Sequence, residues 1–376
     1  MLLTKALDYD LPEHLIATTP AEPRERARLM VVWPDRVEHL RVADLPDLVE
    51  PGDALILNQT QVLPARFRGR AIETGGFAEG LWLGDVTQGD ALTWHLFLKA
   101  RRLRAGKRFE LLDRGDRPSG YVLELIRRVS DDGVWEAAVE GGHTTPEVLN
   151  GIGLTPLPPY IRGARARAGE IVAEDADRRA YQTVVAIEAR NAPVLGSVAA
   201  PTAGLHFTRE LLHAIESRGV RRGEVVLQVG AGTFKPIESE FVEQHVMHRE
   251  WCSLGGARWA MDHPGRVVAV GSTSARTLES YGRALRGGEQ PGAWMETDLL
   301  IAPGYAWERV DVLLTNFHLP RSTLLAMVAA IVPGGVERLR ALYAEAVMTG
   351  YRFYSYGDAM LIVPKIGSSV CAPERR

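Results

Sequence analysis

VVAVGSTSARTLES (267–280) is the stretch that decides the fold class. Its opening valines read as a short buried strand. Gly271, Ser272, Thr273 and Ser274 form the predicted loop, and Ala275, Leu278, Tyr281 and Leu285 fall on one stripe of the following helix. Strand, short loop and amphipathic helix make the repeating unit of a layered α/β protein, and ligands bind where such strands end. Arg276 is predicted in the first helical turn, where a cation opposes the helix dipole. Two readings account for it equally: an anionic ligand, or a buried ion pair.

The same texture extends outward. Upstream, Asp175–Val184 has helical composition, Thr208 can cap a helix carrying Leu211, Leu212 and Ile215, and EVVLQV (224–229) reads as a strand. Downstream, TDLLI (297–301) and VDVLLT (310–315) read as strands. Ser322 or Thr323 opens an apolar helix, and Gly335–Met348 makes a further, amphipathic one. Between Ala54 and Val139 the pattern differs. ALILN (54–58), LPARFRGRAI (63–72), TWHLFLKA (93–100), KRFELLD (107–113), YVLELIRRV (121–129) and VWEAAV (134–139) are closely spaced strands between Gly/Asp turns, the mark of a small barrel or sandwich. RLMVVW (28–33) precedes this block and belongs with the α/β layers. The expectation is therefore an α/β domain from 1–62 and 150–376 with a barrel-like all-β domain, 63–149, inserted. Gly163–Gly169 and the C-terminal GSSVCAPERR read as mobile.

Composition narrows the class. The chain has 376 residues, enough for two domains at roughly 100–200 residues each. Its longest apolar run, Leu324–Val332, falls far short of the about 20 residues a membrane span needs, so no membrane role is expected. MLLTKALDYDLPEHL is not expected to be a secretory signal. Two cysteines, Cys252 and Cys371, exclude a disulfide scaffold and fit a reducing cytoplasm. The formal net charge is −3, so a nucleic-acid partner would be held by local patches. KARRLRAGKR (99–108) is one, with six basic residues in ten. Arg66, Arg68 and Arg70 alternate, and so share a strand face. Arg162, Arg165 and Arg167 form a third cluster. A solvated hairpin edge explains these runs equally well.

Several motifs could carry chemistry. VGAGT (229–233) leaves a strand with Gly-x-Gly but lacks the third glycine of a dinucleotide or methyltransferase fingerprint, so a tight turn is the plainer reading. HVMHREWC (245–252) gathers His245, His248, Glu250 and Cys252 without a zinc spacing. AAPTAGLHFTRE (199–210) places Thr202 and His206 before a helix, suited to an anionic group and to proton movement, or simply a capping loop. TNFHLPRSTLL (315–325) ends a strand with Asn316 and His318. YRFYSYGDAMLI (351–362) packs Arg352, Tyr354, Tyr356 and Asp358 around a glycine. Such groups can stack on and hydrogen-bond a heterocyclic base, or serve an ordinary turn.

Taken together and in order, these segments, with LPEHLIA (11–17), PARFRGR (64–70), LPPYI (157–161), EDADRRAYQTV (174–184), MHRE (247–250) and TDLLIAPGY (297–305), resemble the S-adenosylmethionine:tRNA ribosyltransferase-isomerase family of queuosine biosynthesis. The likeness spans nearly the whole chain. It departs at Gln59, at Ser272 where the family favours Thr, and in the longer stretches 162–173 and 186–198.

The resemblance implies that the ribosyl part of S-adenosylmethionine, as co-substrate, is transferred to 7-aminomethyl-7-deazaguanine at the tRNA wobble position and isomerised. Epoxyqueuosine results, adenine and methionine leave, and no metal takes part. A base must take a C5′ proton beside the sulfonium, and protonation helps adenine depart. His206, His248, Glu250, Arg276, Asp298, Asn316 and His318 are expected to converge on one pocket at the strand ends. His206 or His318 would be the base, and Glu250 an acid toward adenine. Asp298 and Asp358 would position the aminomethyl nitrogen. Thr202, Ser272, Thr273, Arg276, Asn316, Arg352, Tyr354 and Asp358 would bind substrate, with Ser272, Thr273 and Arg276 on the methionine carboxylate or ribose. Lys99, Arg101, Arg102 and Arg104 would contact tRNA phosphates. A cytoplasmic monomer is expected. The rival readings are a methyltransferase using VGAGT and a non-catalytic RNA-binding paralogue.

Overall fold

A computed structural model describes residues 1–86, 92–130, 133–141, 144–186, 196–230 and 236–364. The first strands are β1 (Arg28–Val32), β2 (Val37–Arg41) and β3 (Ala54–Asn58). β4 (Arg66–Ala71), β5 (Phe77–Asp85), β6 (Thr93–Lys99), β7 (Arg108–Leu112), β8 (Pro118–Arg128) and β9 (Val134–Glu140) follow without interruption by helix. Three helices come next: α1 (Thr145–Ile152), α2 (Pro159–Ala168) and α3 (Glu174–Ala180). The rest is α4 (Arg209–Glu216), β10 (Arg221–Leu227), β11 (Glu250–Ser253), β12 (Val267–Val270), α5 (Gly271–Arg286), β13 (Met295–Thr297), β14 (Val312–Asn316), α6 (Thr323–Ile331), α7 (Gly335–Met348) and β15 (Ala359–Ile362).

Nine strands form one sheet in the order β13-β11-β10-β3-β12-β14-β15-β1-β2. β10, β3, β12 and β14 run parallel at its centre, so their C-terminal ends share an edge. Side-chain alternation divides these strands between two cores. Ala54, Ile56, Val267 and Ala269 face one, while Leu55, Leu57, Val268 and Val270 face the other. Burial on both faces explains why ALILN and VVAV are continuous apolar runs.

The six strands β4-β5-β6-β9-β8-β7 close into an antiparallel barrel, which leaves no open sheet edge. Phe67, Trp94, Leu96, Phe109 and Leu123 fill it, with Val148, Leu149 and Ile152 of α1 in the same core. Trp94 Nε1 donates to Thr145 Oγ1 at 2.8 Å, and Thr145 in turn donates to Asp85 at 2.6 Å. The buried indole is thereby satisfied and α1 is fastened to the barrel.

Four local expectations change. β5 has no strand signal in the sequence reading because Gly80 and Gly84 interrupt its alternation; a Cβ at position 80 would collide with the Phe67 ring. The GSTS segment is helix rather than loop. Gly271, at φ +86°, turns directly from β12 into α5, so Arg276 falls in the second turn, beyond the reach of the dipole argument. The TDLLI strand is shorter: β13 ends at Thr297, and Asp298–Ile301 is irregular. The segment from Gly163 to Ala168, expected to be mobile, forms the latter part of α2, which stops at Gly169 in the left-handed region. Cys371, GSSVCAPERR and residues 231–233 of VGAGT lie outside the described residues.

Candidate active site

Two adjoining clefts open near the shared strand ends, and Leu324 lines both. The first is bordered by Thr202, Ser272, Thr273, Asn316, His318 and Tyr354, the second by His248, Glu250 and Arg276. They are reached from β12–α5, from the end of β14 and from β11. Asn316 is the last residue of β14 and Glu250 the first of β11.

In the first cleft the Asn316 amide is fixed from three sides. Thr202 Oγ1 donates to its Oδ1 at 2.8 Å, and its Nδ2 donates to the Tyr354 carbonyl at 3.2 Å and to His206 Nε2 at 3.2 Å. An amide nitrogen only donates, so His206 Nε2 accepts and the ring proton sits on Nδ1. Burial, and then the charges of Arg352 and Arg24, push the His206 pKa down to about 4. His206 lies behind Asn316 and is not part of the cleft wall. His318 is part of that wall; its Nε2 meets Thr315 Oγ1 at 2.7 Å. Its backbone N–H donates to Tyr343 Oη at 2.9 Å, and its carbonyl accepts from Tyr9 Oη. Burial alone pushes His318 down to about 3. Both imidazoles are neutral near pH 7.

In the second cleft Glu250 and Arg276 form an ion pair with side chains 7% and 8% exposed. Glu250 Oε1 also accepts from the Gly230 N–H at 2.8 Å, and Arg276 Nε donates to the Leu299 carbonyl at 3.2 Å. Among the described residues Arg276 Nη2 is buried with no hydrogen-bond partner, as is Thr273 Oγ1 in the neighbouring cleft. Buried donors without partners are costly, at about 1–3 kcal/mol each, and a polar ligand would satisfy both. His248 is exposed at the mouth of this cleft.

The other candidates lie elsewhere. Asp298 is exposed, 3.9 Å from Arg249, and lines neither cleft. Asp358 is buried and accepts from the backbone of Arg28 at 2.9 Å and of Arg352 at 2.8 Å, which ties β15 to β1. Arg352 lies 3.7 Å from Asp358 and donates to the Thr19 carbonyl. Tyr354, at φ +72°, packs its ring on Tyr160 at 4.6 Å. Tyr160 and Thr315 belong to the cleft wall but were not singled out from sequence, although Thr315 stands one turn-length before His318 in TNFH.

On the barrel, Lys99, Arg101, Arg102 and Arg104 are exposed. Arg104 pairs with Glu73 at 3.2 Å. Lys107 is different: it is buried and donates to the carbonyls of Arg101 and Arg102, which shapes the loop. The third basic cluster is tied up in ion pairs. Arg165 grips Asp177 through two bonds at 2.7 and 2.8 Å, Arg167 meets Glu13, and Arg162 meets Glu79.

Among the described residues no group of three or more His, Cys, Asp or Glu is placed to hold a metal ion. The dinucleotide reading of VGAGT fails on topology. That fingerprint needs a helical crossover to a parallel strand, whereas the strand after β10 is β11, paired antiparallel.

A family model for queuosine biosynthesis proteins matches residues 4–362. The chain belongs to that family. The S-adenosylmethionine:tRNA ribosyltransferase-isomerase of Gloeobacter violaceus is 44% identical over 374 residues, covering 97% of each chain. That of Rubrobacter xylanophilus is 44% identical over 366 residues, covering 96% of this chain and 97% of the relative. A crystal structure of S-adenosylmethionine tRNA ribosyltransferase from Thermotoga maritima is 29% identical, covers 95% of this chain and 99% of its own, and superposes with a TM-score of 0.48. Within this queuosine biosynthesis family member, the family match runs through every segment that builds the two clefts.

Proposed function

We propose that the chain transfers the ribosyl moiety of S-adenosylmethionine to 7-aminomethyl-7-deazaguanine at the wobble position of tRNA and isomerises it, releasing adenine and methionine and leaving epoxyqueuosine. The observation that carries this reading is the pair of adjoining clefts in which Thr273 Oγ1 and Arg276 Nη2 are buried without partners among the described residues. These two donors suit the carboxylate and hydroxyl oxygens of that co-substrate. Glu250 holds the guanidinium in place from behind, so it orients Arg276 rather than giving up a proton. His318, neutral in the cleft wall, is the base for the C5′ proton. His206 fixes Asn316 and stays uncharged, which spares a sulfonium a nearby cation. His248 at the second cleft's mouth is placed to exchange protons with a departing purine. Ser272 and Thr202 bind polar substrate groups, and Tyr354 with Tyr160 gives an aromatic wall. Asp298, exposed and next in sequence to Leu299 of the second cleft's wall, is available to the aminomethyl nitrogen once RNA is bound. Asp358 and Arg352 hold the turn that carries Tyr354.

The proposal includes residues 1–62 and 150–376 as the catalytic domain and 63–149 as an inserted barrel domain, with the second boundary moved past α1, whose Ile152 packs in the barrel core. It further takes the enzyme to be a cytoplasmic monomer that meets tRNA and no membrane. One experiment tests the activity: incubation with ribose-labelled S-adenosylmethionine and tRNA carrying the deazaguanine precursor. Free adenine with label on RNA is expected. S-adenosylhomocysteine would indicate a methyltransferase, and binding without turnover a non-catalytic paralogue; either result overturns the proposal. His318→Ala should lower turnover far more than it weakens tRNA binding.

A further inference from the structure

We propose that the outer face of β4, β5 and β6 receives the single-stranded nucleotides beside the modified base, with Phe77 as a stacking platform. The inference rests on the tRNA reading above. Alternation sends Phe67, Gly69 and Ala71 of β4 inward and Arg66, Arg68 and Arg70 outward. On β5 it sends Ala78, Gly80 and Trp82 inward and leaves Phe77 and Glu79 outside. The register then builds cross-strand rows. Phe77 stands opposite Arg70, and Glu79 stands between Arg68 and Lys99. Phe77 is 54% exposed although the barrel core beneath it is already filled, and Ile72 at the same hairpin is 52% exposed. Arg70 and Lys99 form no ion pair among the described residues, although the register sets Glu110 beside Arg70 and Glu79 beside Lys99.

This face continues to the clefts. Tyr160 of α2 lines the first cleft. Two residues along the same helix, Arg162 reaches the Glu79 carboxylate, which Arg66 also contacts at 3.3 Å. One helix therefore links the aromatic wall of the cleft to the basic face of the barrel. An RNA loop whose base enters the cleft has its flanking phosphates and bases led along α2 onto Arg70, Lys99 and Phe77. Cations that track phosphates and an aromatic that stacks on any base are how proteins hold single-stranded nucleic acid without reading its sequence. The positive charge of the face favours a polyanion, and its continuity with the cleft favours the RNA that is being modified.

The test uses the full chain and an anticodon stem-loop RNA that carries the deazaguanine precursor, with 2-aminopurine in the loop to report stacking. Phe77→Ala should raise the KM and Kd for RNA about tenfold, abolish the 2-aminopurine quenching, and leave the KM for S-adenosylmethionine and kcat at saturating RNA unchanged. The salt dependence of binding should keep its slope, because no phosphate contact is lost. Lys99→Ala should instead reduce that slope by about one. Phe77→Trp should restore both affinity and quenching. Unchanged RNA affinity in a folded Phe77→Ala variant would overturn the proposal. So would competition by polyglutamate as strong as by RNA, which would mark a general polyanion surface. If the wild type binds this RNA but forms no ribosylated product, the activity reading fails while the quenching assay still decides the role of Phe77.

Discussion

On the barrel, charged side chains meet at the surface: Arg68 with Asp116 at 3.0 Å, Arg104 with Glu73 at 3.2 Å, Arg108 with Glu140 at 2.6 Å. At the strand ends of the large sheet ionisable groups are buried instead, the ion pair Glu250–Arg276 and the neutral imidazoles of His206, behind Asn316, and His318, against Thr315. Surface pairs are worth about 0–1 kcal/mol, so their placement is nearly free of consequence for folding. A buried polar group without a full complement of partners works against folding. The sheet therefore carries an arrangement that stability alone does not favour, and the barrel carries one that stability hardly notices. Function is legible by energetic contrast in the first region, and in the second only by what the surface can attract.

The largest effect expected from this contrast is at the buried pair. Arg276→Met leaves Glu250 with the Gly230 N–H as its remaining side-chain partner among the described residues and should destabilise the fold by about 3–5 kcal/mol in urea unfolding. Changing both residues, Glu250→Gln with Arg276→Met, should recover most of that stability but not the KM for S-adenosylmethionine. Recovery of both together would make the pair structural only.

Next in size is a pH effect. His206 and His318 remain neutral in the folded protein down to about pH 4 and 3, while an unfolded histidine takes up its proton near 6.5. The unfolded state binds more protons throughout that window. Stability is therefore fully present above about pH 6.5 and falls as the pH drops toward 4, by roughly 3 kcal/mol for each histidine. Denaturation midpoints measured from pH 7 to 4 should fall less steeply in a His206→Asn/His318→Asn variant. An identical pH slope would show that the two imidazoles are not buried neutral.

The sequence carried most of the architecture because periodicity encodes burial. The doubly buried β3 and β12 announce themselves as apolar runs, and Thr208 and Ser322 cap their helices through Leu211 and Leu325 as their side-chain chemistry requires. β5 was not legible because glycine at position 80 reflects a neighbour distant in sequence, the Phe67 ring, and not a local turn. The site shows the same limit. That Glu250, His318 and Arg276 stand near one another could be argued from element boundaries. That Asp358 serves two backbone N–H groups, that Asp298 is turned to solvent, and that Asn316 rather than His206 faces the cleft depends on packing between segments far apart in the chain. Gly80→Ala tests the barrel's share of this argument. It should destabilise by about 1–3 kcal/mol through overpacking, and Phe67→Leu in the same chain should relieve part of the loss; no relief would place the strain elsewhere.

The smallest stability effect is expected on the exposed loop after β6. Lys99, Arg101, Arg102 and Arg104 are exposed, and the ion pair that Arg104 makes with Glu73 is itself well exposed. Neutralising them to Gln should shift unfolding by no more than about 0.5 kcal/mol. Lys107 must be left in place, since its ammonium holds the loop carbonyls of Arg101 and Arg102. If the four side chains meet phosphates, the same variants should weaken every tRNA alike and lower the salt slope of binding by about one for each contact removed. Turnover at saturating tRNA should stay near that of the wild type, because none of the four lines a cleft. A variant that loses all four charges yet keeps both its tRNA affinity and its salt slope would make the loop a solvated hairpin. The charge of these four residues would then have no part in binding, and the barrel's hold on RNA would rest on Arg70 and Phe77 of the outer face of β4 and β5 alone.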